Sequence, residues 1–494
     1  MHRTTWALTF TSMTLGLFAS ANAQLQFSGP TSYAAGTRPE AAALGDFDGD
    51  GDRDIAVTSD LPDRILVYSN NGNGTFSGPQ QIFLGNGTSP HALLAMDIEN
   101  DGDQDLVVSL KNVNQIQIVT NIGGGSFSPG ATFATLGSEP RQLAAADFDG
   151  NGFADVVASN RESSNVSVFL NSGGSFGPAT SLAAGDEPRG VAAADFTGDG
   201  APDFAVASHR TRQVLVFTNN GAGAFSQTGA LSVGGQLRPE GVATGDLDGN
   251  GTQDIATSTE GNGQSFGTVF LNQGGGSFGG RVDYFITGQD PEGIVARDFD
   301  LDGDLDLAMA NQTSNNISTL LGSGNGTFGS TQLFGAGARP GDLQSADLDG
   351  NGSADLVSVN RDSNDITVLL NGAQGQSLDL VGTPSTGSPI HFTVSGLTGE
   401  QGNTAQVLLS CNGTAGFPLP NDGRIVPLTL DGCTAAGLNA AVFLQGTVDA
   451  TGTASTPDVA FPNAAPGRTV WAAAVTINGP QFVSIVGPIS FVTQ

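Results

Sequence analysis

Lysine is almost missing from this chain of 494 residues: Lys111 is the only one. With that single residue, Schiff-base chemistry and Walker-type phosphate binding drop out. Basic residues number 17 against 48 acidic ones, a formal charge of −31. Nucleic acid and anionic membrane surfaces both want clustered Lys and Arg, so both are excluded as partners. Beyond the N-terminal segment no run approaches the roughly 18 apolar residues of a membrane span. Histidine is scarce too. His91, His209 and His391 stand in no Ser-His-Asp, His-Glu or zinc spacing.

What is abundant is glycine, with 72 residues, alongside Thr, Ser, Val and Asn. That composition indicates an all-β chain with many turns. At 38% hydrophobic content there is material for a real core. The N-terminus carries a three-part export pattern: basic Met1-His2-Arg3, a mostly apolar Trp6 to Leu17, and Ala21-Asn22-Ala23. Residues 1–23 are therefore expected to be a signal peptide, and the mature chain to begin at Gln24 as a secreted or cell-surface protein.

A nine-residue acidic unit recurs seven times, at 46–54, 97–105, 147–155, 195–203, 246–254, 298–306 and 347–355. The steps are 51, 50, 48, 51, 52 and 49 residues, and a proline stands seven residues before every first Asp, from Pro39 to Pro340. Each unit holds four short strand patterns, typified by Ala41 to Leu44, Ile55 to Val57, Ile65 to Tyr68 and Phe76 to Leu84. An Asn/Gly-rich turn, Asn70 to Gly74, separates the last two. Four antiparallel strands per ~50-residue repeat predict β-propeller blades. A solenoid would need capping repeats, and none is visible. The last unit stops at Asn371 without its fourth strand, whereas Phe27 opens such a strand before the first acidic loop. Strand 25–36 is thus expected to complete the seventh blade and close the ring over residues 24–374.

The acidic pattern is D-x-[DNE]-x-[DN]-G-x-x-D, broken only by Thr197. Calcium takes six to eight oxygen ligands, and carboxylates at positions 1, 3, 5 and 9 with a carbonyl at 7 suffice to wrap one ion. A solvated acidic turn would explain one copy but not seven in phase. The expected ligands are Asp46, Asp48, Asp50, Asp52 and Asp54 in the first loop and Asp97, Glu99, Asp101, Asp103 and Asp105 in the second. They continue as Asp147, Asp149, Asn151 and Asp155, then Asp195, Thr197, Asp199 and Asp203, then Asp246, Asp248, Asn250 and Asp254. The last two sets are Asp298, Asp300, Asp302, Asp304 and Asp306, and Asp347, Asp349, Asn351 and Asp355. Up to seven Ca²⁺ ions are expected, tightest at 46–54 and 298–306 and weakest at 195–203. EF-hands are ruled out, because position 12 is Val57, Val108, Ala158, Val206, Thr257, Met309 or Ser358 and never Glu.

A strand, such an acidic loop and a Phe-Ser/Gly-Gly-Pro strand together resemble FG-GAP/VCBS repeats, as in the seven-bladed propeller of integrin α chains. The resemblance implies structural calcium in the loops and ligand contact on the opposite face. It also brings in calcium-containing lectins and some polysaccharide lyases, which share the scaffold. Thr197 and the pair Glu99-Asn100 depart from the pattern.

Strand alternation places the acidic loops and Asn/Gly turns on one face. The other face then collects 11 of the 16 basic residues that follow residue 23. Arg141, Arg161, Arg189, His209 and Arg210 come from successive units and are the candidate ligand-binding residues. Arginine offers bidentate donors suited to acidic glycans or protein loops, although surface loops carry such polar residues in any case. Residues 375–494 carry about seven strand patterns without the 50-residue period, which suits an Ig-like β-sandwich. Cys411 and Cys433, the only cysteines, read as a disulfide in an exported protein, with metal binding the weaker alternative. The expected whole is a monomeric, calcium-binding recognition or adhesion protein for an extracellular protein or glycan. A calcium-dependent lectin is the near variant and a polysaccharide lyase the enzymatic one; no catalytic residue is assigned.

Overall fold

The structure, a computed structural model, describes residues 25–372 and, farther along, the backbone of strands between 377 and 492. Seven four-stranded antiparallel sheets are arranged as the blades of a β-propeller. Blades are numbered 1 to 7 by their acidic loops. Blade 1 consists of Thr37–Gly45, Asp54–Leu61, Asp63–Asn70 and Phe76–Phe83, from the innermost strand outward. The innermost strands neighbour one another around the ring, and Pro340–Ala346 of blade 7 lies beside Thr37–Gly45 of blade 1.

Burial follows this layering. Second strands such as Asp105–Leu110, Asp155–Asn160 and Asp203–Ser208 are buried at every residue, because a neighbouring blade covers each side of the sheet. Outer strands such as Phe127–Ala134 are largely exposed. Between blades the core is mainly aliphatic, with recurrent aromatic contacts set into it. The residue after the first loop Asp is fully buried in every unit (Phe47, Ile98, Phe148, Phe196, Leu247, Phe299 and Leu348). Phe47 meets Phe127 of the next blade edge-on at 5.6 Å, and Phe148–Phe225 and Phe196–Phe278 repeat the contact at 5.1 and 5.6 Å. Each such pair contributes about 0.5–1.5 kcal/mol beyond its buried area.

The N-terminal strand supplies the missing piece of blade 7. Thr31–Ala34 pairs antiparallel with Asp365–Leu369 in the register Thr31↔Val368, and Phe27 bridges Asn371. Phe27 then packs on Phe299 of blade 6 at 6.0 Å, edge-on, as the corresponding Phe does in other blades. Backbone bonds from Ser28 N–H to the Leu370 carbonyl (2.7 Å) and from Gly372 N–H to the Gln26 carbonyl (2.9 Å) complete the seam.

Residues 24–375 form one compact unit and 376–494 belong to another. In the latter, strands from Ser377–Val381 to Gln481–Val492 pair into an eight-stranded sheet. The side-chain packing expected of a sandwich, and Cys411 and Cys433, lie outside the described residues. Among the described residues no helix is long and apolar enough to cross a membrane.

Candidate functional site

The first Asp of each acidic loop folds the loop. Its Oδ2 accepts the N–H of the sixth-position glycine in all seven, for example Asp46 from Gly51 at 3.0 Å and Asp347 from Gly352 at 2.8 Å. That glycine has φ between 85° and 99° throughout, a conformation that a Cβ disfavours. The ninth Asp does a different job. It is fully buried, and its two oxygens accept two backbone N–H groups: Asp54 takes Phe47 at 2.9 Å and Asn70 at 2.8 Å. Asp105, Asp155, Asp203, Asp254, Asp306 and Asp355 repeat this bond pair. Burial, and then the neighbouring loop carboxylates, push Asp54, Asp155 and Asp254 up to about 6, Asp355 to about 7 and Asp306 to about 9.

In five loops three carboxylates bring ligand oxygens within 4.8 Å of one another: Asp46/Asp48/Asp50, Asp147/Asp149/Asp155, Asp246/Asp248/Asp254, Asp298/Asp300/Asp302 and Asp347/Asp349/Asp355. Hard oxygen donors gathered this closely have the donor chemistry that a calcium ion takes. Loops 97–105 and 195–203 make no such triple. In the latter the Thr197 hydroxyl donates to Asp195 at 3.3 Å. In the former, burial and then Asp105 push Glu99 up to about 7, while Asn100, at φ 59°, donates to the Gly152 carbonyl of blade 3 at 2.9 Å. Both loops without a triple carry the departures seen in the sequence, Thr197 in the fourth and Glu99-Asn100 in the second, although the second has five acids and lacks only their convergence.

One recurrent residue escaped the sequence reading. An asparagine ends the third strand or stands two residues past it in six blades: Asn70, Asn121, Asn171, Asn219, Asn272 and Asn371. Its amide donates to a carbonyl in its own acidic loop and to one in the preceding blade's loop. Asn121 Nδ2 reaches Gln104 at 3.2 Å and Phe47 at 2.7 Å, and Asn70 reaches Leu348 of blade 7 at 2.8 Å. Blade 6 has Gly322 there, and the Leu247 carbonyl of blade 5 accepts from Gly326 N–H instead, at 2.9 Å. The signal was the spacing: Asn70, Asn121, Asn171, Asn219 and Asn371 each fall 16 residues after a ninth Asp. The Asn/Gly turns do lie beside the acidic loops, since a Cβ on Gly72 would sit 2.6 Å from Asp52 Oδ2.

On the opposite face the five candidate ligand residues are held by carboxylates. Arg161 Nη2 lies 2.6 Å from Glu187 and its Nη1 3.2 Å from Glu139, while Arg210 Nε lies 2.8 Å from Glu187. Arg189 and His209 share Glu240, the latter through Nδ1 at 2.7 Å. Glu187 and Glu240 therefore link four of the five. Arg141 pairs instead with Glu292, from blade 3 to blade 6. Only Arg210 projects well into solvent, its side chain 61% exposed against 25% for Arg161 and 19% for Arg189. Burial works against ionising Glu187 and Glu240, but Arg161 and Arg189 beside Glu187, and His209 with Arg189 beside Glu240, outweigh it and hold both below the usual carboxylate range.

No curated protein matches the chain. Among solved structures, the periplasmic gluconolactonase of Pseudomonas aeruginosa is 16% identical over 62% of this chain and 87% of its own, at a TM-score of 0.45. A functionally unknown protein from Desulfotomaculum acetoxidans is 13% identical over 61% and 90%, at 0.42. The FG-GAP-like repeat pattern matches residues 46–108, 100–158, 147–206, 195–257 and 298–358, which include all seven acidic loops. Since these matches take in more than half of the residues and fall in register with the blades, the chain belongs to the FG-GAP-like repeat family.

Proposed function

We propose that this chain is an exported, calcium-stabilised recognition protein that binds an extracellular protein or glycan on the face opposite its acidic loops. The observation that carries this reading is the division of labour between faces. The acidic loops spend their oxygens on backbone N–H groups and on carboxylate clusters suited to Ca²⁺. The other face aligns guanidiniums from successive blades on shared glutamates, with Arg210 presented outward. A planar guanidinium fixed by one carboxylate still offers donors to a second acidic group. Calcium acts through rigidity rather than contact. Export rests on residues 1–23, and a Cys411–Cys433 disulfide would contribute on the order of 3 kcal/mol to the C-terminal unit.

The test is a glycan array and an extracellular-protein panel probed with calcium and then with chelator, for the parent chain and Arg210→Ala. Binding should fall at least tenfold in Arg210→Ala at unchanged melting temperature. Full binding by that variant, with loss in a still-folded Asp48→Asn or Asp300→Asn protein, would place the ligand on the calcium face.

A further inference from the structure

The residue after the inner-strand proline falls at the same level of the central channel in every blade. Read around the ring these are Glu40, His91, Arg141, Arg189, Glu240, Glu292 and Gly341. They rim a cavity of about 410 Å³, the size of a small-molecule pocket. Beyond the rim, Leu93, Leu143, Val191, Val242, Ile294 and Leu343 from successive blades share the walls with Gln142, Asp342 and Gln344.

The rim is electrically two-sided. Blades 2 to 4 present His91, Arg141 and Arg189, whereas blades 5, 6 and 1 present Glu240, Glu292 and Glu40. Arg141 crosses the channel to Glu292. Arg189 pairs with Glu240, and Arg361 with Glu40 at 2.8 Å. On the arginine side two buried nitrogens have no hydrogen-bond partner, Arg189 Nε and His91 Nδ1, the latter in an imidazole that burial and then the Arg141 charge keep neutral. Arg189 Nε–H is only ever a donor, so it calls for an oxygen acceptor. Opposite, Gly341 leaves the one gap in the rim: a Cβ there would lie 3.3 Å from Glu292 Oε2.

We infer that the channel mouth is a small-molecule site for a zwitterionic amino-carboxylate of the α-amino acid type. Its carboxylate takes Arg141 and the unpartnered Arg189 Nε–H. Its ammonium takes Glu292 beside the Gly341 gap, and its side chain enters the channel against the leucine, valine and isoleucine side chains of the wall. Charge balance selects the zwitterion. Three guanidiniums pair with three carboxylates and the lining adds Arg339 and Asp342, one charge of each sign, so a plain anion or cation would unbalance the site, whereas a zwitterion inserted between Arg141 and Glu292 leaves it balanced. This site goes beyond the macromolecular recognition proposed above and does not depend on it.

Calorimetric titration of the full chain in millimolar calcium with L-valine, L-leucine, L-isoleucine and L-methionine tests the inference. At least one should bind, and its analogues lacking either charge (leucinamide and 4-methylpentanoate, for leucine) should bind at least tenfold more weakly. The neutral pair Arg141→Gln/Glu292→Gln strands no charge and should lose the same tenfold while keeping its melting transition. Gly341→Val, which fills the gap beside Glu292 and keeps both charges of its ion pair, should lose binding if the double variant fails to fold. No heat from any of the four amino acids, equal affinity for a singly charged analogue, or full affinity in a folded variant overturns the inference. Arg210→Ala separates the two readings, since it should leave amino-acid binding intact.

Discussion

Glutamate and aspartate crowd both faces of this propeller, under opposite electrostatics. On the loop face 27 of the 48 acidic residues sit in seven nine-residue turns whose only basic member is Arg53. There burial and like charge raise the ninth aspartates, to about 6 in Asp54 and about 9 in Asp306. On the opposite face Glu139, Glu187 and Glu240 are also opposed by burial, yet Lys111, Arg161, Arg189 or His209 lies within ion-pair reach and all three are held low. One face gathers carboxylates with little counter-charge; the other carries its cations in the sequence. The first should therefore respond to metal and chelator, and the second to substitution.

Removing residues 24–36 should break both faces together. Blade 7 would lose Thr31–Ala34 and the Phe27–Phe299 contact, and an exposed strand edge would replace the seam. The expected result is aggregation or loss of cooperative melting, read by calorimetry and light scattering. An unchanged transition would show that the ring does not need its N-terminal strand.

Chelation should have the next largest effect and should separate the faces. With free calcium a few-fold above Kd, each occupied loop adds about 1 kcal/mol, so five clusters sum to several. Acid should partly replace the metal. Because the folded pKa values lie above the unfolded ones, the folded chain binds more protons between them, and metal-free stability falls as pH rises through about 6 to 9. The chelated protein should therefore melt higher at about pH 5.5 than at about pH 8, and saturating calcium should flatten this difference. Glu187 and Glu240 act in the opposite sense. Their depressed pKa values give stability that is present above the unfolded glutamate pKa and is lost as pH falls below it. A chelated protein with no pH preference across that interval would mean that the loop carboxylates do not repel.

Arg189→Gln sharpens the comparison from the other side. Glu240, only 5% exposed, would lose its guanidinium, at a cost of about 2–4 kcal/mol. Adding Glu240→Gln should recover much of that loss, and neither variant should alter the calcium dependence. Equal stability of Arg189→Gln and the parent in urea titration would show that the pair is surface-like.

Asn121→Ala should have the smallest effect, about 1–2 kcal/mol, because two amide bonds to the Phe47 and Gln104 carbonyls disappear. Since this asparagine joins the acidic loops of blades 1 and 2, its loss should also weaken calcium binding there, measurable as a shift in the titration of thermal stability. A stability loss without that shift would confine the staple to packing.

The sequence by itself determined the blade count, the ring closure and the positions of the acidic loops. Each follows from a local rule repeated in phase: a proline near the start of each inner strand, a glycine where φ must be positive, and a Phe at or just before the start of each outer strand. Local rules are short-range, so periodic spacing makes them legible. Tertiary structure decided what depends on neighbours far apart in the chain. It decided that the ninth aspartate anchors backbone through both oxygens, and that loop 97–105 has five acids without bringing three together. It also decided that Arg141 faces Glu292, 151 residues away, and that Arg161, Arg189 and Arg210 are tied down by glutamates rather than standing free. Composition counted those charges, but their pairing depends on which blades the closed ring sets side by side or across the channel.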